Sequence, residues 1–537
     1  MLSGKRNSAL QILSLLLLFL HCQASSHNYH FVVKEATYTR LCSTKEILTV
    51  NGKFPGPVLQ AHKGHGVKQP RYPWSDGPEY ITQCPIQPGH KFKQKIIFSE
   101  EEGTIWWHAH SDWFRATVYG AIIVYPKRGA SYPFPPPHEE VPIILGQWWK
   151  RDIMEVFEEF VRTGGEPNVS DAHTINGQPG DLYPCSKSGL SAPDNNAAMN
   201  SILFFSIANH SLTVVGADGS YTKPVTRDYI TISPGQTLDA LLLTNQQVGQ
   251  YYMAARAYSS SPAVAFDNST TTAIVQYNNR NSTPFSSPPI LPYLPYYNDT
   301  NAAFNFFDSL RSLANEDHPI DVPKNITTRL ISTVSVNTFP CPNNSCEGPN
   351  GTRLAASMNN ISFVDPTTTD ILEAYYYHIN GVFREGFPDF PPLVYNFTGE
   401  DLPLILQTPK RGTMVKVFDY GSIVECVFQG TNLVAGIDHP MHLHGFSFYV
   451  VGRGFGNFDQ DKDPLNYNLV DPPHRNTVTV PISGWTAIRF KPTIRSMVLA
   501  LPFGASRNMG NEHRFHCKNG KHNKEKLLPA PQEMPPC

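Results

Sequence analysis

This chain of 537 residues is short of several features, and each shortage closes off a class of function. Charge of either sign is in no excess: 43 Lys and Arg against 45 Asp and Glu leave a net charge of −2, with none of the basic stripe that nucleic acid requires. Long apolar runs are lacking, and the one at Leu10–Leu20 is too short to span a bilayer. No His-Glu-x-x-His run occurs, which argues against the helix-borne zinc site of a metalloprotease. Helical periodicity is scarce as well. Short β-branched runs between turn signals dominate instead, at Gly120–Pro126, Val141–Trp149, Asp228–Gly235 and Thr486–Phe490, and predict an all-β protein. The length suits two to four domains.

The N-terminus has Lys5 and Arg6, then the apolar stretch, then small residues at Ala24–Ser26, which is the layout of a signal peptide over residues 1–26. Ten Asn-x-Ser/Thr sequons, at Asn168, Asn209, Asn268, Asn281, Asn298, Asn325, Asn343, Asn350, Asn360 and Asn396, fit an exported glycoprotein. Once Cys22 leaves with the signal segment, eight of the nine cysteines remain, and spacing alone does not give their connectivity. Cys426, in the strand-like run SIVECVFQG, reads as a buried free thiol.

The chemistry-bearing feature is a pair of histidine clusters far apart in sequence, WWHAHSDW at Trp106–Trp113 and DHPMHLHG at Asp438–Gly445. A lone His-x-His is more often a surface strand or a satisfied core histidine, but two such clusters flanked by Trp, Pro and Gly read as a multinuclear metal site. On a strand, residues i and i+2 point from one face and start roughly 6.5–7 Å apart, so they serve neighbouring ions more naturally than they chelate one. Imidazole alone leaves zinc, copper, iron and nickel open; the arrangement favours copper.

His439-Pro440-Met441-His442-Leu443-His444-Gly445, Trp107-His108-Ala109-His110 and WSDGPEYITQCPIQPG at Trp74–Gly89 resemble the multicopper oxidases, and more narrowly the plant laccases. HSDWFRATVYGAIIVYP and ILGQWW match too, and the likeness runs from about His27 to Phe490 and returns in the tail. The resemblance implies three consecutive cupredoxin-like Greek-key β-sandwich domains at 27–135, 140–300 and 324–537, with boundaries near Pro135–Glu140 and in the stretch Asn281–Pro323. It further implies four copper ions per chain: one type 1, one type 2 and a type 3 pair. His439 takes the type 1 position and is the electron entry, His442 goes to type 2, and His444, His108 and His110 go to type 3. It also implies disulfides Cys84–Cys537 and Cys42–Cys185; separately, Cys341 and Cys346 are close enough in sequence to close a small loop. The implied partners are small phenolic substrates and O2, with no nucleic acid and no membrane, for a monomer secreted to the apoplast.

The chain departs from the family at two places, and both fall on copper ligands. At Lys63-Gly64-His65-Gly66 a segment ending in His-Trp-His-Gly is shortened, so that His65 keeps the second ligand's place and the first is missing. His62, in LQAHKG, reads as a solvated loop histidine rather than a substitute. After Phe490 the expected Trp-Phe-x-His-Cys-His is absent, and with it the type 1 thiolate. Residues at about Pro492–Cys517 read as frame-shifted. Back-translated with free choice of synonymous codons and read from the second base, with the first base of Arg507 added, Met497–Ser506 yields Trp-Phe-Leu-His-Cys-His-Leu-Glu-Leu-His. His516-Cys517, followed by His522 and Leu527, mimics the type 1 spacing, but NGKHNKEKLLP already aligns with the family's tail, so Cys517 is read as no ligand.

Two functions follow. One is a secreted laccase, coupling one-electron oxidation of phenols, monolignols and lignin-derived phenols among them, to four-electron reduction of O2. The other is a catalytically inactive secreted cupredoxin, or the product of a decayed gene. Ascorbate oxidase is an alternative within the first class.

Overall fold

The computed structural model describes residues 27–63, 71–98, 101–185, 195–199, 201–261, 264–278, 288–492, 496–500 and 512–537. The strands foreseen from β-branched runs form: Tyr119–Tyr125, Ile144–Trp148, Tyr229–Ile232, Val424–Gly430 and Gly484–Phe490. Helices are few and short among the described residues, the longest being Ile153–Thr163. Asp152 starts it, accepting from Met154 and Glu155 N–H, and Gly164, at φ 72°, ends it in the left-handed region that glycine tolerates. Its buried face packs with Trp113 and Trp149 beneath the segment that follows His110. A second helix, Thr300–Ser309, lies inside Asn281–Pro323, the stretch in which the sequence places a domain boundary. Its Phe304, Phe306 and Phe307 explain why: they complete the core of the preceding sheets. No helix among the described residues is long and apolar enough to cross a membrane.

In the first third of the chain, Gly103–His108 pairs antiparallel with Tyr119–Tyr125, which also takes Leu59–His62 in parallel. His62 is therefore at a strand end rather than in a loop; it is exposed, and its Nδ1 lies 2.9 Å from the Pro126 carbonyl. The middle third holds a four-stranded and a three-stranded sheet around one core of Leu203, Phe205, Val214 and Ile230. In the last third an eight-stranded sheet faces a six-stranded one. Phe428, Phe448 and Ile488 from the first meet Met441, Leu443 and Phe418 from the second in a shared core, the arrangement of a β-sandwich. Disulfides join Cys42 to Cys185, Cys84 to Cys537 and Cys341 to Cys346. Cys426 is a buried free thiol.

Candidate metal centre

Strand parity sorts the histidines of the second cluster. His439, Met441 and Leu443 share one face of the strand His439–Leu443 and are all but inaccessible, at 1 %, 0 % and 0 % exposure. His442 takes the opposite face, and His444, one residue past the strand end, follows it, with ring centroids 4.8 Å apart. In the first cluster the strand stops at His108, so His110 lies beyond regular pairing. Ala109 N–H still donates to the Val118 carbonyl at 2.8 Å, which keeps the backbone extended. The His108 and His110 rings stand nearly parallel, 5.8 Å apart.

The two clusters, more than three hundred residues apart in sequence, meet. His110 Nε2 lies 3.2 Å from His444 Nε2. Two imidazole nitrogens bound to one tetrahedral ion at about 2.0–2.1 Å are separated by about 3.3 Å, so this spacing, which is also that of a ring-to-ring hydrogen bond, suits two ligands to one ion. Among the described residues these histidines form no group of three whose ligand atoms all lie within 4.8 Å of one another. They therefore present donors to more than one position. His65, the remaining expected ligand, lies outside the described residues.

The ring tautomers are fixed by neighbours. His108 Nδ1 is 2.8 Å from the Ala109 carbonyl, which can only accept, so the proton is on Nδ1 and Nε2 carries the lone pair. His442 Nδ1 faces the Thr477 hydroxyl at 2.9 Å. Burial holds these rings neutral. It lowers the His439 pKa to about 3 and that of His442 to about 4, in the latter case against the pull of Asp218. Burial, then the positive field of Arg115 and the neighbouring His110, pushes His108 well below the usual range. Neutral imidazoles are ligands of the kind that copper takes.

Residues that the histidine pattern could not reveal surround the cluster. Asp76 Oδ2 is 3.8 Å from His444 Nδ1, and Glu79 accepts a 2.6 Å hydrogen bond from Ser111, one residue past His110. Both acids lie in the WSDGPEY motif at Trp74–Tyr80.

The thiolate side of the centre is different. Leu443 is level with Leu499, and Leu499 with His513. Cys517 lies four residues beyond His513, and His439 four residues on the other side of Leu443. At ~3.3 Å per residue that puts roughly 25 Å between them along the sheet. Cys517 Sγ instead lies near the carbonyls of Asp419, Pro492 and Lys518. His522 is exposed and caps a short turn of helix, and Leu527 packs with Trp74. Cys426 sits in the interior strand Val424–Gly430. The described residues therefore fit the imidazole part of a copper cluster and not a type 1 site built on Cys517.

Sequence models of the family described as multicopper oxidase match residues 63–129, 139–280 and 387–528. The chain is 49 % identical to Laccase-14 of Arabidopsis thaliana over 564 aligned positions, covering 98 % of this chain and 96 % of that protein. It is 47 % identical to Laccase-3 of Oryza sativa subsp. japonica, covering 91 % and 92 % respectively. An alignment longer than the 537-residue chain means that the relative carries residues missing here, in keeping with a lost segment. Among solved structures, Fet3p, a multicopper oxidase that functions in iron import, superposes with a TM-score of 0.68 at 19 % identity over 92 % of this chain and 90 % of that one. The laccase from Botrytis aclada gives 0.66 at 21 % over 93 % and 88 %. Both share the cupredoxin-like fold.

Proposed function

We propose a function for a chain that belongs to the multicopper oxidases and, among them, to the plant laccases. The family is one of copper-dependent oxidoreductases, and the chain is of laccase type. The finer reading is a secreted laccase that takes single electrons from phenols and passes them to O2. The observation that carries it is the meeting of His110 and His444 across the two histidine clusters. His108, His110 and His444 would hold the type 3 pair with His65, His442 the type 2 ion, and His439 the type 1 ion. Copper, when bound, supplies the one-electron steps. The protein's part is to hold neutral imidazoles with the lone pair outward, to fix their tautomers and to limit water at His439. Three modules at 27–135, 140–300 and 324–537 fit the three family matches. Exposed sequon asparagines, Asn168, Asn298 and Asn396 among them, support export and glycosylation.

A second reading, a copper-binding but non-catalytic cupredoxin, is favoured by the roughly 25 Å between Cys517 and His439, which puts that thiolate out of reach of the type 1 position. One experiment separates the two. The expressed full chain is loaded with copper and assayed for phenol-dependent O2 uptake and for the strong visible absorption of a copper–thiolate bond. Both signals are expected of a laccase; bound copper with neither establishes the second reading. Sequencing the transcript across the codons for Lys63–His65 and Phe490–Lys518 shows whether His-Trp-His-Gly and His-Cys-His are encoded.

A further inference from the structure

The middle third of the chain carries none of the candidate ligands, yet both histidine-bearing segments are bonded to one corner of it. On the first side, Asp239 accepts from Thr104 N–H and hydroxyl, and the Thr237 hydroxyl donates to the Thr104 carbonyl, in the strand that ends at His108. On the other side, Asp218 Oδ2 accepts from Arg475 Nε at 3.1 Å and from the N–H groups of Asn476 and Thr477 at 3.3 Å. Its other oxygen accepts from Thr237 N–H at 3.0 Å. Thr477 opens the strand that pairs with His439–Leu443, opposite His442. Asp218, Arg475 and Thr477 are 2 %, 3 % and 0 % exposed.

The Thr477 hydroxyl has one proton. It lies 2.9 Å from the Asn476 side-chain carbonyl, which accepts that proton, and so its oxygen is left to accept from His442 Nδ1 at 2.9 Å. His442, which Asn476 also bonds through its backbone and its side chain, is thereby held as the Nδ1–H tautomer, with the lone pair left on Nε2. We propose that Asp218 is a positioning residue for His442, acting through Thr477: a carboxylate of the ligand-free module sets the tautomer and aim of a copper ligand in another module. This rests on the reading of His442 as a ligand.

A local explanation for Asp218 exists and makes a different forecast. Asp218-Gly219 forms the two-residue turn between Leu212–Ala217 and Ser220–Arg227, with φ of 51° and 71°. Asn serves such a turn as well as Asp does, so a turn-only role predicts that Asp218→Asn changes nothing.

The test is titration of the full, copper-free chain with Cu²⁺ alone, read by paramagnetic resonance, with circular dichroism to show that each variant is folded. Thr477→Val, close to isosteric, is expected to weaken the His442 site 10–100-fold and alter its hyperfine pattern, as loss of an outer-shell partner does. Thr477→Ser, which restores the hydroxyl, returns affinity to within about threefold. Asp218→Asn is expected to weaken binding about tenfold. Unchanged affinity and spectrum in folded Thr477→Val or Asp218→Asn overturns the proposal while leaving His442 as a ligand. His442→Ala tells the failures apart: if it binds as the parent does, His442 is no ligand and both readings fall.

Discussion

Lowering the pH of the copper-free protein from 8 to 5 should cost stability in an amount set largely by buried neutral histidines, and His439 gives the clearest case. It is 1 % exposed, and burial brings its pKa to about 3, against about 6.5 in an unfolded chain. Because the folded value is depressed, the unfolded state binds the proton first as pH falls through 6.5. Stability is therefore full above that pH, declines below it and levels off near pH 3. A shift of about 3.5 units is worth about 5 kcal/mol in full, of which about 2 kcal/mol is already lost at pH 5. Against a typical total of about 5–15 kcal/mol that is a large fraction. His439→Asn removes the titration while staying polar. Denaturant unfolding at pH 8 and pH 5, with a chelator present, should give the parent a drop that exceeds the variant's by about 2 kcal/mol. An equal drop in both proteins would refute the argument that His439 is held neutral by its surroundings.

Other outcomes follow from the same structure. Arg475→Ala strips the buried partner from Asp218 and should cost about 3–5 kcal/mol, measured by the same unfolding assay, because it strands a carboxylate away from water. Leu443→Ala, at a position with 0 % exposure on the histidine strand, should lose about 2–5 kcal/mol through the cavity left in the sandwich core. Cys426 and Cys517 are buried, and burial raises both thiol pKa values, that of Cys517 to about 12. A thiol reagent should accordingly label neither in the native protein and both after denaturation, counted by mass. Labelling of Cys517 in the native state would show that its strand does not stay closed.

By itself the sequence determined what local pattern can carry. Alternating β-branched runs required strands because their side chains pack on a pleated face, and His108, His110, His439, His442 and His444 announced metal chemistry through residue type and spacing alone. The loss of the His-Cys-His run was equally plain, since a missing thiolate is a matter of covalent text. Tertiary structure alone decided which rings meet. The 3.2 Å approach of His110 to His444 depends on two sandwiches docking, and no periodicity within either segment encodes a contact between them. The same holds for His439, whose separation from His442 comes from the core on one face of its strand, and for Cys517, whose mimicry of the ligand spacing fails once strand register places it out of reach. Asp218 and Thr477 were invisible for the plainest reason. One reads as a turn residue and the other as a strand residue, and their hold on His442 exists only where three distant segments are brought together by the burial of their neighbours.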